Sequence, residues 1–292
     1  MTTLDIDHLR QWIGRSETRH DTIGAAPIAA LAATLDRDRL DAPPGSPLPP
    51  LWHWLYFLPV HRQSELGPDG HPARGGFLPP VPLPRRMWAG SQLSWHAPLS
   101  VGDSVSRVST VEDVTAKSGR TGELCFVKVR HQVHGPRGLA IDEVHDIVYR
   151  PPAPPAEAPA ATAPVVGSDA PRAAWQRDVL PDDVLLFRYS ALTFNGHRIH
   201  YDRRYVTEVE GYPGLVVHGP LMATLLMELA TANDPRRVAR FSFRAMSPIF
   251  DVAPFSVCGE PDGQRAARLW IRGPAGETAM QADVGFDAEA AR

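Results

Sequence analysis

The stretch QLSWHAPLSVGD, residues 92–103, recurs in related form later in the chain as RFSFRAMSPIFD, residues 240–251. The two segments align without a gap: Leu93 of the first matches Phe241 of the second, and the aromatic residue two places later matches as well. This similarity predicts that the chain consists of two related halves.

Three runs of alternating apolar and polar residues follow each copy of the repeat. In the first half they are SVSRVSTVEDV, ELCFVKVRHQV and AIDEVHDIVYR, and in the second APFSVCG, AARLWIRG and AMQADVGF. Short segments such as HGPRG and GPAGE separate the runs and suit hairpin turns. Alternation of this length is typical of antiparallel strands with one buried face.

Each half also contains a short segment that is apolar or small on nearly every side, PIAALAATLD at 27–36 and PLMATLLMELATA at 220–232. Both begin with proline, which suits the first turn of a helix. A helix without a polar face belongs in a core. We therefore predict an α+β double hot-dog fold, in which two antiparallel sheets each wrap a central helix.

Proline and alanine dominate residues 151–171, where large apolar residues are almost absent. Such a segment buries too little surface to fold and favours extended structure, which is typical of a linker. We therefore expect a first half at 1–150 and a second half at 172–292. Another proline-rich stretch, 66–84, is predicted to be a long loop within the first half.

The composition is that of a globular protein, with 292 residues, 43% hydrophobic and 22% charged, and a net charge of -3. Neither the charge nor the scattered basic residues provide the positive surface that nucleic-acid binding needs. The N-terminus lacks the apolar region of a signal peptide, and no apolar run is long enough to span a membrane. We therefore expect a cytoplasmic protein. Cys125 and Cys258 are expected to be buried free thiols.

A cluster of polar residues, FNGHRIHYD at 194–202, contains the strongest candidates for chemistry. The preceding run VLLFRYSALT, 184–193, is predicted to be a strand that leads into it. Further along, GYPGLVVHGPLM brings glycines to the start of the second apolar helix. The N–H of Gly219 would lie there at the positive end of the helix dipole, where an anion or a developing oxyanion is stabilised.

These motifs resemble those of the MaoC-type hydratases and dehydratases of acyl thioesters. In that family a motif of the form Asp-x-Asn-Pro-x-His precedes an aliphatic-His-Gly step into the hot-dog helix. By this resemblance His200 matches the catalytic histidine and Gly219 the backbone oxyanion donor, whereas Asn195 stands in the place of the usual aspartate. The asparagine excludes a carboxylate base at that position.

The run FRYSALTFNGHRIHYD, together with RRMWAG in the first half, resembles more narrowly the mitochondrial-type 3-hydroxyacyl thioester dehydratases and the bacterial 3-methylfumaryl-CoA (mesaconyl-CoA) hydratases. This resemblance covers nearly the whole chain. It implies reversible hydration of a 2-enoyl-CoA thioester without a cofactor, and a homodimer is one candidate assembly. The residues expected to contact substrate are Arg86, Trp88, Tyr189, Ser190, His197, Arg198 and His218.

Hydration of an enoyl thioester needs a base that takes a proton from the attacking water, and a stabilised enolate. A histidine near its ordinary pKa of about 6.5 can hold and return that proton around neutral pH, which favours His200 as the base. The amide of Asn195 can fix the position of the water. A structural histidine and a turn-capping asparagine are the alternatives for these two residues.

A free carboxylate on the acyl group would suit a buried guanidinium, which binds it through two hydrogen bonds. Arg86 and Arg198 are the candidates, and a structural ion pair is the alternative for each.

A metal site is the other chemical interpretation of the motif, with His197, His200, Asp202 and His218 as ligands. The His-x-x-His spacing is much less diagnostic than His-Glu-x-x-His on a helix. Because the thioester carbonyl is already polarised, we expect no metal.

Three other functions remain open at this point. A 3-hydroxyacyl thioester dehydratase would run the same chemistry in reverse, and a hot-dog thioesterase would hydrolyse the thioester with a carboxylate near the helix. A non-catalytic acyl-CoA-binding module would have no need of His200 and Gly219 together. The first half lacks a comparable motif, so we expect it to shape the tunnel for the acyl chain and CoA while the second half carries the catalytic residues.

Overall fold

The computed structural model describes residues 4–38, 41–72, 75–119, 122–151 and 173–290. The predicted linker at 151–171 lies outside these ranges except for its first residue. The described first half forms α1 (Ile6–Arg10), β1 (Ser16–Thr22), α2 (Ala25–Thr34), β2 (Arg85–Trp95), β3 (Ser104–Gly119), β4 (Gly122–Gly135) and β5 (Gly138–Arg150). Two 3-10 turns, Trp52–Leu55 and Gln63–Glu65, lie between α2 and β2.

The described second half forms β6 (Trp175–Val179), α3 (Asp183–Leu192), α4 (Gly219–Asn233), β7 (Arg236–Ala245), β8 (Phe255–Pro261), β9 (Ala266–Arg272) and β10 (Thr278–Ala290). A 3-10 turn, Arg198–His200, and a π-helical turn, Tyr205–Val209, lie between α3 and α4. The six strands predicted from alternation after the two repeat segments are confirmed as β3, β4, β5, β8, β9 and β10.

The ten described strands form one sheet in the order β1-β3-β4-β5-β2-β7-β10-β9-β8-β6. The second half repeats the order of the first in reverse, and β2 pairs with β7 at the junction. Leu93 lies directly opposite Phe241, the residue with which the sequence repeat aligns it. A pseudo-two-fold axis therefore passes through this pair, and the double hot-dog fold is confirmed as two five-stranded sheets joined edge to edge.

The central helix of the second half is α4, which packs against β8, β9 and β10. Leu221, Leu225 and Leu226 are at most 2% exposed. Each buried leucine contributes about 1.5–3 kcal/mol through removal from water. The prediction of a buried helix at 220–232 is confirmed.

The prediction of a second sheet-wrapped helix at 27–36 is wrong. The helix exists as α2, but it packs mainly against α3 and not against the sheet. It follows the first strand of its half directly, as α3 follows β6, so α2 and α3 are the equivalent pair that meets across the pseudo-two-fold axis. Its apolar residues are buried between helices, which gives the same sequence pattern as burial under a sheet.

The position equivalent to α4 in the first half is occupied by the segment 51–58. Only the 3-10 turn Trp52–Leu55 is helical there. Leu51 and Phe57, with φ of 70° and 56°, take left-handed conformations on either side of it. A right-handed helix cannot continue through such residues, so a single turn stands where the second half has fifteen helical residues.

The prediction of a strand at 184–193 is also wrong, because this segment is α3. Asp182 caps the helix by accepting a hydrogen bond from Leu185 N at 2.8 Å. The buried residues Leu186, Tyr189 and Ser190 are spaced three and four apart, which is the period of one helical face.

Two further expectations concern the cysteines and the membrane. Cys125 and Cys258 are buried free thiols, as predicted. Within the described ranges, no helix has the length and apolar character needed to cross a membrane.

Candidate active site

The polar motif begins where α3 ends. Phe194 is left-handed with φ of 49°, which reverses the chain. Asn195 N then donates to Ser190 O at 2.8 Å, and Asn195 Oδ1 accepts from His197 N at 3.0 Å. Asn195 thus forms the side-chain turn that was its structural alternative. Its Nδ2 has no partner among the described residues.

His200 is held at the entrance of α4. Its Nδ1 lies 2.7 Å from Val216 O, and Val216 N donates to Ile199 O at 2.9 Å. A carbonyl accepts only, so Nδ1 carries the hydrogen and Nε2 of the neutral ring has the free lone pair. Burial lowers the pKa of His200 to about 4, although the bond to Val216 O opposes this shift.

His218 supports His200 from the side of α4. The two rings stack with centroids 3.7 Å apart and an interplanar angle of 18°. His218 Nε2 lies 2.8 Å from Ser190 Oγ, and the ring of Tyr189 meets it edge-on at 5.0 Å. Burial is the main cause that holds the pKa of His218 well below its ordinary value, and the charge of His200 is the second cause. This neutral ring therefore fixes the plane of the His200 imidazole.

Gly219 is the first residue of α4, and His218 is its N-cap. The N–H of a first helical residue has no acceptor within the helix. A Cβ placed on Gly219 would meet no atom within 4 Å, so open space adjoins this residue. The helix, fifteen residues long with Gly219 included, presents its positive end to that space.

A loop of the first half docks onto the motif. Arg198 N donates to Asp69 O at 2.9 Å, and Arg198 Nη1 donates to Pro68 O at 2.9 Å. A Cβ on Gly70 would lie 1.8 Å from Gly196 O, so the contact requires glycine at position 70. The two halves therefore share one site.

This docked loop brings a histidine that the sequence interpretation missed. His71 Nδ1 lies 3.2 Å from Asp69 Oδ2, and its ring centroid is 4.0 Å from that of His197. Burial, as the main cause, and the charge of His71, as the second cause, lower the pKa of His197 to about 2. The turn-forming dipeptide Asp69-Gly70 next to a histidine was the available signal, but nothing local indicated the distant partner.

The metal interpretation fits a different set of residues from the one considered on sequence. Among the described residues, Asp69, His71 and His197 place ligand atoms within 4.8 Å of one another. Asp202 instead pairs with Arg198 and accepts a hydrogen bond from Tyr205 N. The hydrogen bond between Asp69 and His71 already accounts for that pair without an ion.

The two predicted arginines differ in availability. The Arg198 guanidinium bonds Asp202 Oδ2 at 2.7 Å and lies 4.2 Å from the centre of the Tyr205 ring. Arg198 therefore matches its structural alternative. Arg86 is half-buried, and its guanidinium forms no hydrogen bond or ion pair with the described residues.

A cavity of about 1080 Å³ lies between the halves. From the second half, its wall includes Tyr189, Ser190, Asn195, Arg198 and Pro220. From the first half, its wall includes Trp54, Arg86, Trp88, Arg107, His131 and His145. His197, His200 and His218 are not part of this wall, but His218 bonds Ser190, His200 stacks on His218, and His197 N donates to Asn195 Oδ1.

The comparisons with known proteins identify the family. The model of the family described as hydroxyacyl-thioester dehydratase type 2 matches residues 51–251. This chain belongs to that family. A mesaconyl-C(4)-CoA hydratase of Chloroflexus aurantiacus is 51% identical over 273 residues, which cover 94% of this chain and 96% of the relative. Hydratases and dehydratases catalyse one reaction in opposite directions, so the protein is a hydro-lyase.

More distant relatives agree with this assignment. The mitochondrial hydroxyacyl-thioester dehydratase type 2 of Schizosaccharomyces pombe is 28% identical, over 86% of this chain and 91% of the relative. The solved structure of HtdX from Mycobacterium tuberculosis has a TM-score of 0.65 at 20% identity, over 93% of this chain and all of that one. A second M. tuberculosis protein, described as a double hot-dog, has a TM-score of 0.57 at 16% identity, over 94% and 96% of the two chains. These two structures show the fold.

Proposed function

We propose that this protein hydrates 3-methylfumaryl-CoA (mesaconyl-C4-CoA), a 2-enoyl-CoA with a free carboxylate beside the double bond, to citramalyl-CoA. The identity of 51% to a mesaconyl-C(4)-CoA hydratase supports the substrate. The observation that carries the chemistry is His200, a buried imidazole whose Nδ1 is bonded to Val216 O at the entrance of α4.

His200 acts as the general base. Its Nε2 takes a proton from water while the water oxygen bonds to the β-carbon of the enoyl group. The electrons of the carbon–carbon double bond move towards the thioester carbonyl, and the enolate then takes at its α-carbon the proton held by the His200 imidazolium, which leaves the ring neutral again. A pKa of about 4 keeps the ring neutral at neutral pH, so the base is ready for use.

Gly219 and Asn195 serve the two other needs of the reaction. The Gly219 N–H donates to the enolate oxygen, where the dipole of α4 adds to the stabilisation. Asn195 faces the cavity and has Nδ2 available to orient the attacking water. Because the amide does not titrate, acid–base work falls to histidine.

The other predicted substrate contacts remain proposals, and their positions support them to different degrees. The cavity wall does not include His197 or His218, but it does include Arg86, Trp88, Tyr189, Ser190 and Arg198. Arg86 is the better of the two predicted carboxylate partners because Arg198 is engaged by Asp202. A homodimer and a cytoplasmic location also stay predictions.

A 3-hydroxyacyl thioester dehydratase is the second candidate function. The family model and the fission yeast relative favour it. The same three residues would work in reverse, with the imidazolium of His200 protonating the departing hydroxyl. Substrate preference separates the two candidates.

The test is incubation of the purified protein with 3-methylfumaryl-CoA and with crotonyl-CoA, with enoyl-thioester absorbance and free thiol recorded together. We expect the absorbance of 3-methylfumaryl-CoA to fall without thiol release. Thiol release would indicate a thioesterase, and activity on crotonyl-CoA alone would favour the fatty-acyl dehydratase.

A further inference from the structure

The inner face of the first-half sheet carries charged and polar side chains towards the cavity. Directly opposed residues of neighbouring strands share one face of a sheet. Leu93 lies opposite Glu143, which lies opposite His131, which lies opposite Ser109. Arg107, two residues before Ser109, therefore belongs to the same face. The segment 51–58 covers only part of this face.

The second half shows that the fold does not require these charges. In the second half, Phe241 on β7 lies opposite Val284 on β10, which lies opposite Ala267 on β9. The position equivalent to Arg107 is Gly259 on β8. All three residues are small or apolar and lie on the face that packs against α4. The polar wall of the first half is therefore a local feature of the cavity.

Both carboxylate oxygens of Glu143 have hydrogen-bond partners inside this wall. Its two oxygens lie 2.7 Å from His145 Nε2 and 3.0 Å from His53 Nε2. Trp54 Nε1 and Ser91 Oγ donate to it at 3.2 Å. Although burial alone would raise it, these contacts hold the pKa of Glu143 well below its usual value. The carboxylate thus has four donors without Arg107.

Arg107, on β3 in this wall, has no bonded anion among the described residues, as is also true of Arg86 on β2. Arg107 forms no hydrogen bond or ion pair with any described residue, and its Nε is buried without a partner. The guanidinium lies 5.2 Å from the centre of the Phe57 ring. Its cross-strand neighbour is the cationic Arg19. Burial is the main reason that the pKa of Arg107 is lowered, and the charge of Arg19 adds to this effect, while the charges of Glu143 and Glu17 oppose it.

The chemistry of this wall selects among acyl groups. An alkyl chain in the cavity would displace water from Arg107 and leave a buried cation unpaired, which is costly. A carboxylate would instead accept two parallel hydrogen bonds from the guanidinium. His131 and His145 in the same wall offer further polar contacts.

We propose that Arg107 binds the free carboxylate of the acyl group and so selects dicarboxylic acyl-CoA substrates over fatty-acyl ones. This inference rests on the proposed function, because it concerns the acyl end of the same substrate. It assigns the carboxylate to Arg107 on β3, and not to the predicted partners Arg86 and Arg198.

The test uses binding of two unreactive acyl-CoA compounds, so that it does not depend on turnover. Succinyl-CoA and butyryl-CoA differ only in a terminal carboxylate in place of a methyl group. We expect wild-type protein to bind succinyl-CoA more tightly than butyryl-CoA. Arg107→Met should raise the Kd for succinyl-CoA by about 30-fold or more, as for loss of a charge-assisted pair. Butyryl-CoA binding should change by less than about threefold, within ordinary surface effects.

Arg198→Met is the matched control, since it removes a cation from the same cavity that is already paired with Asp202 at 2.7 Å. It should leave the ratio of the two dissociation constants unchanged. Arg107→Lys guards against misfolding, because it keeps the charge and should give an intermediate loss. Equal weakening of both ligands by Arg107→Met, or a selective loss in Arg86→Met alone, would overturn the proposal. Absence of hydration by a wild type that still prefers succinyl-CoA would refute the proposed function and not the carboxylate site.

Discussion

The two halves of the molecule share a strand order but differ in what fills their sheets. The second half holds α4, fifteen residues long, against an inner face of small and apolar residues such as Ala267 and Val284. The first half holds one 3-10 turn against a face with His131 and Glu143 in the equivalent places. The shortened helix leaves the space that the cavity occupies.

This difference separates two tasks that a single hot-dog would have to combine. The long helix supplies a strong positive end and an anchor for His200 and His218. The short turn Trp52–Leu55 in the first half instead leaves the cavity open and leaves part of the polar sheet face exposed to it. Under the proposed function, catalysis depends on the full-length helix of the second half, and recognition of the acyl group depends on the space left by the short turn in the first half.

The largest effect is expected from removal of the base. His200→Ala should lower kcat by about 10²–10⁴, the usual range for loss of general acid–base catalysis. Because the side chain is only 8% exposed, melting temperature must be recorded beside the kinetics. A folded variant with wild-type turnover would refute the role of the second half.

The next effect concerns the backbone donor at α4. Gly219→Pro removes the N–H but keeps the helix, because proline is tolerated in the first turn and His218, with ψ of 130°, already has the conformation preferred before proline. We expect kcat to fall by about 10²–10³, as for removal of an oxyanion donor.

Gly219→Ala is the control for this variant, since it keeps the N–H and its Cβ meets no protein atom within 4 Å. Equal losses in the proline and alanine variants would mean that substrate space, and not the N–H, matters at this position.

A smaller effect is expected where the halves meet. Gly70→Ala should destabilise the protein by about 1–3 kcal/mol, because φ of +86° strains an alanine and the Cβ would overlap Gly196 O. Gly76→Ala, whose Cβ meets nothing within 4 Å, is the matched control. Thermal unfolding measures both, and equal melting temperatures would show that the docked loop contributes little.

The smallest change is a displacement of the pH profile. With a pKa lowered to about 4, His200 stays neutral at pH 6, where an ordinary histidine is mostly charged. The value of kcat/KM for hydration should therefore hold down to about pH 5 and fall as pH drops through about 4. Stability should decline from about pH 6.5 towards 4, because the unfolded chain gains the proton first. An inflection in the rate near pH 6.5 would contradict this environment.

The sequence predicted those parts of the fold and site that depend on residues close together in the chain. Alternation located six of the ten described strands, and the repeat aligned Leu93 with Phe241, which the structure then places opposite each other. Both signals come from residues close together in sequence. The motif placed His200 and Gly219 at one helix entrance, where Val216 O joins them. Local pattern and local structure agreed at these points.

The errors arose where distant contacts decided the outcome. α2 and α3 were misassigned because their burial comes from each other across the axis. Arg107 occupies an inward position of the alternating run in β3, so the sequence itself marks it as a charged residue out of phase with its strand. The docking of Asp69 onto Arg198 joins residues far apart in sequence, which no local pattern reports.

The measurement that tests the division of labour most directly is the ratio of kcat/KM for 3-methylfumaryl-CoA to that for crotonyl-CoA in four proteins: wild type, His200→Ala, Arg107→Met and the double variant. We predict that His200→Ala lowers both rates by the same factor and leaves the ratio unchanged, while Arg107→Met lowers the ratio by about 30-fold. The double variant should show the product of the two effects, since independent sites add in free energy. A ratio that changes with His200→Ala, or stays constant with Arg107→Met, would contradict the account.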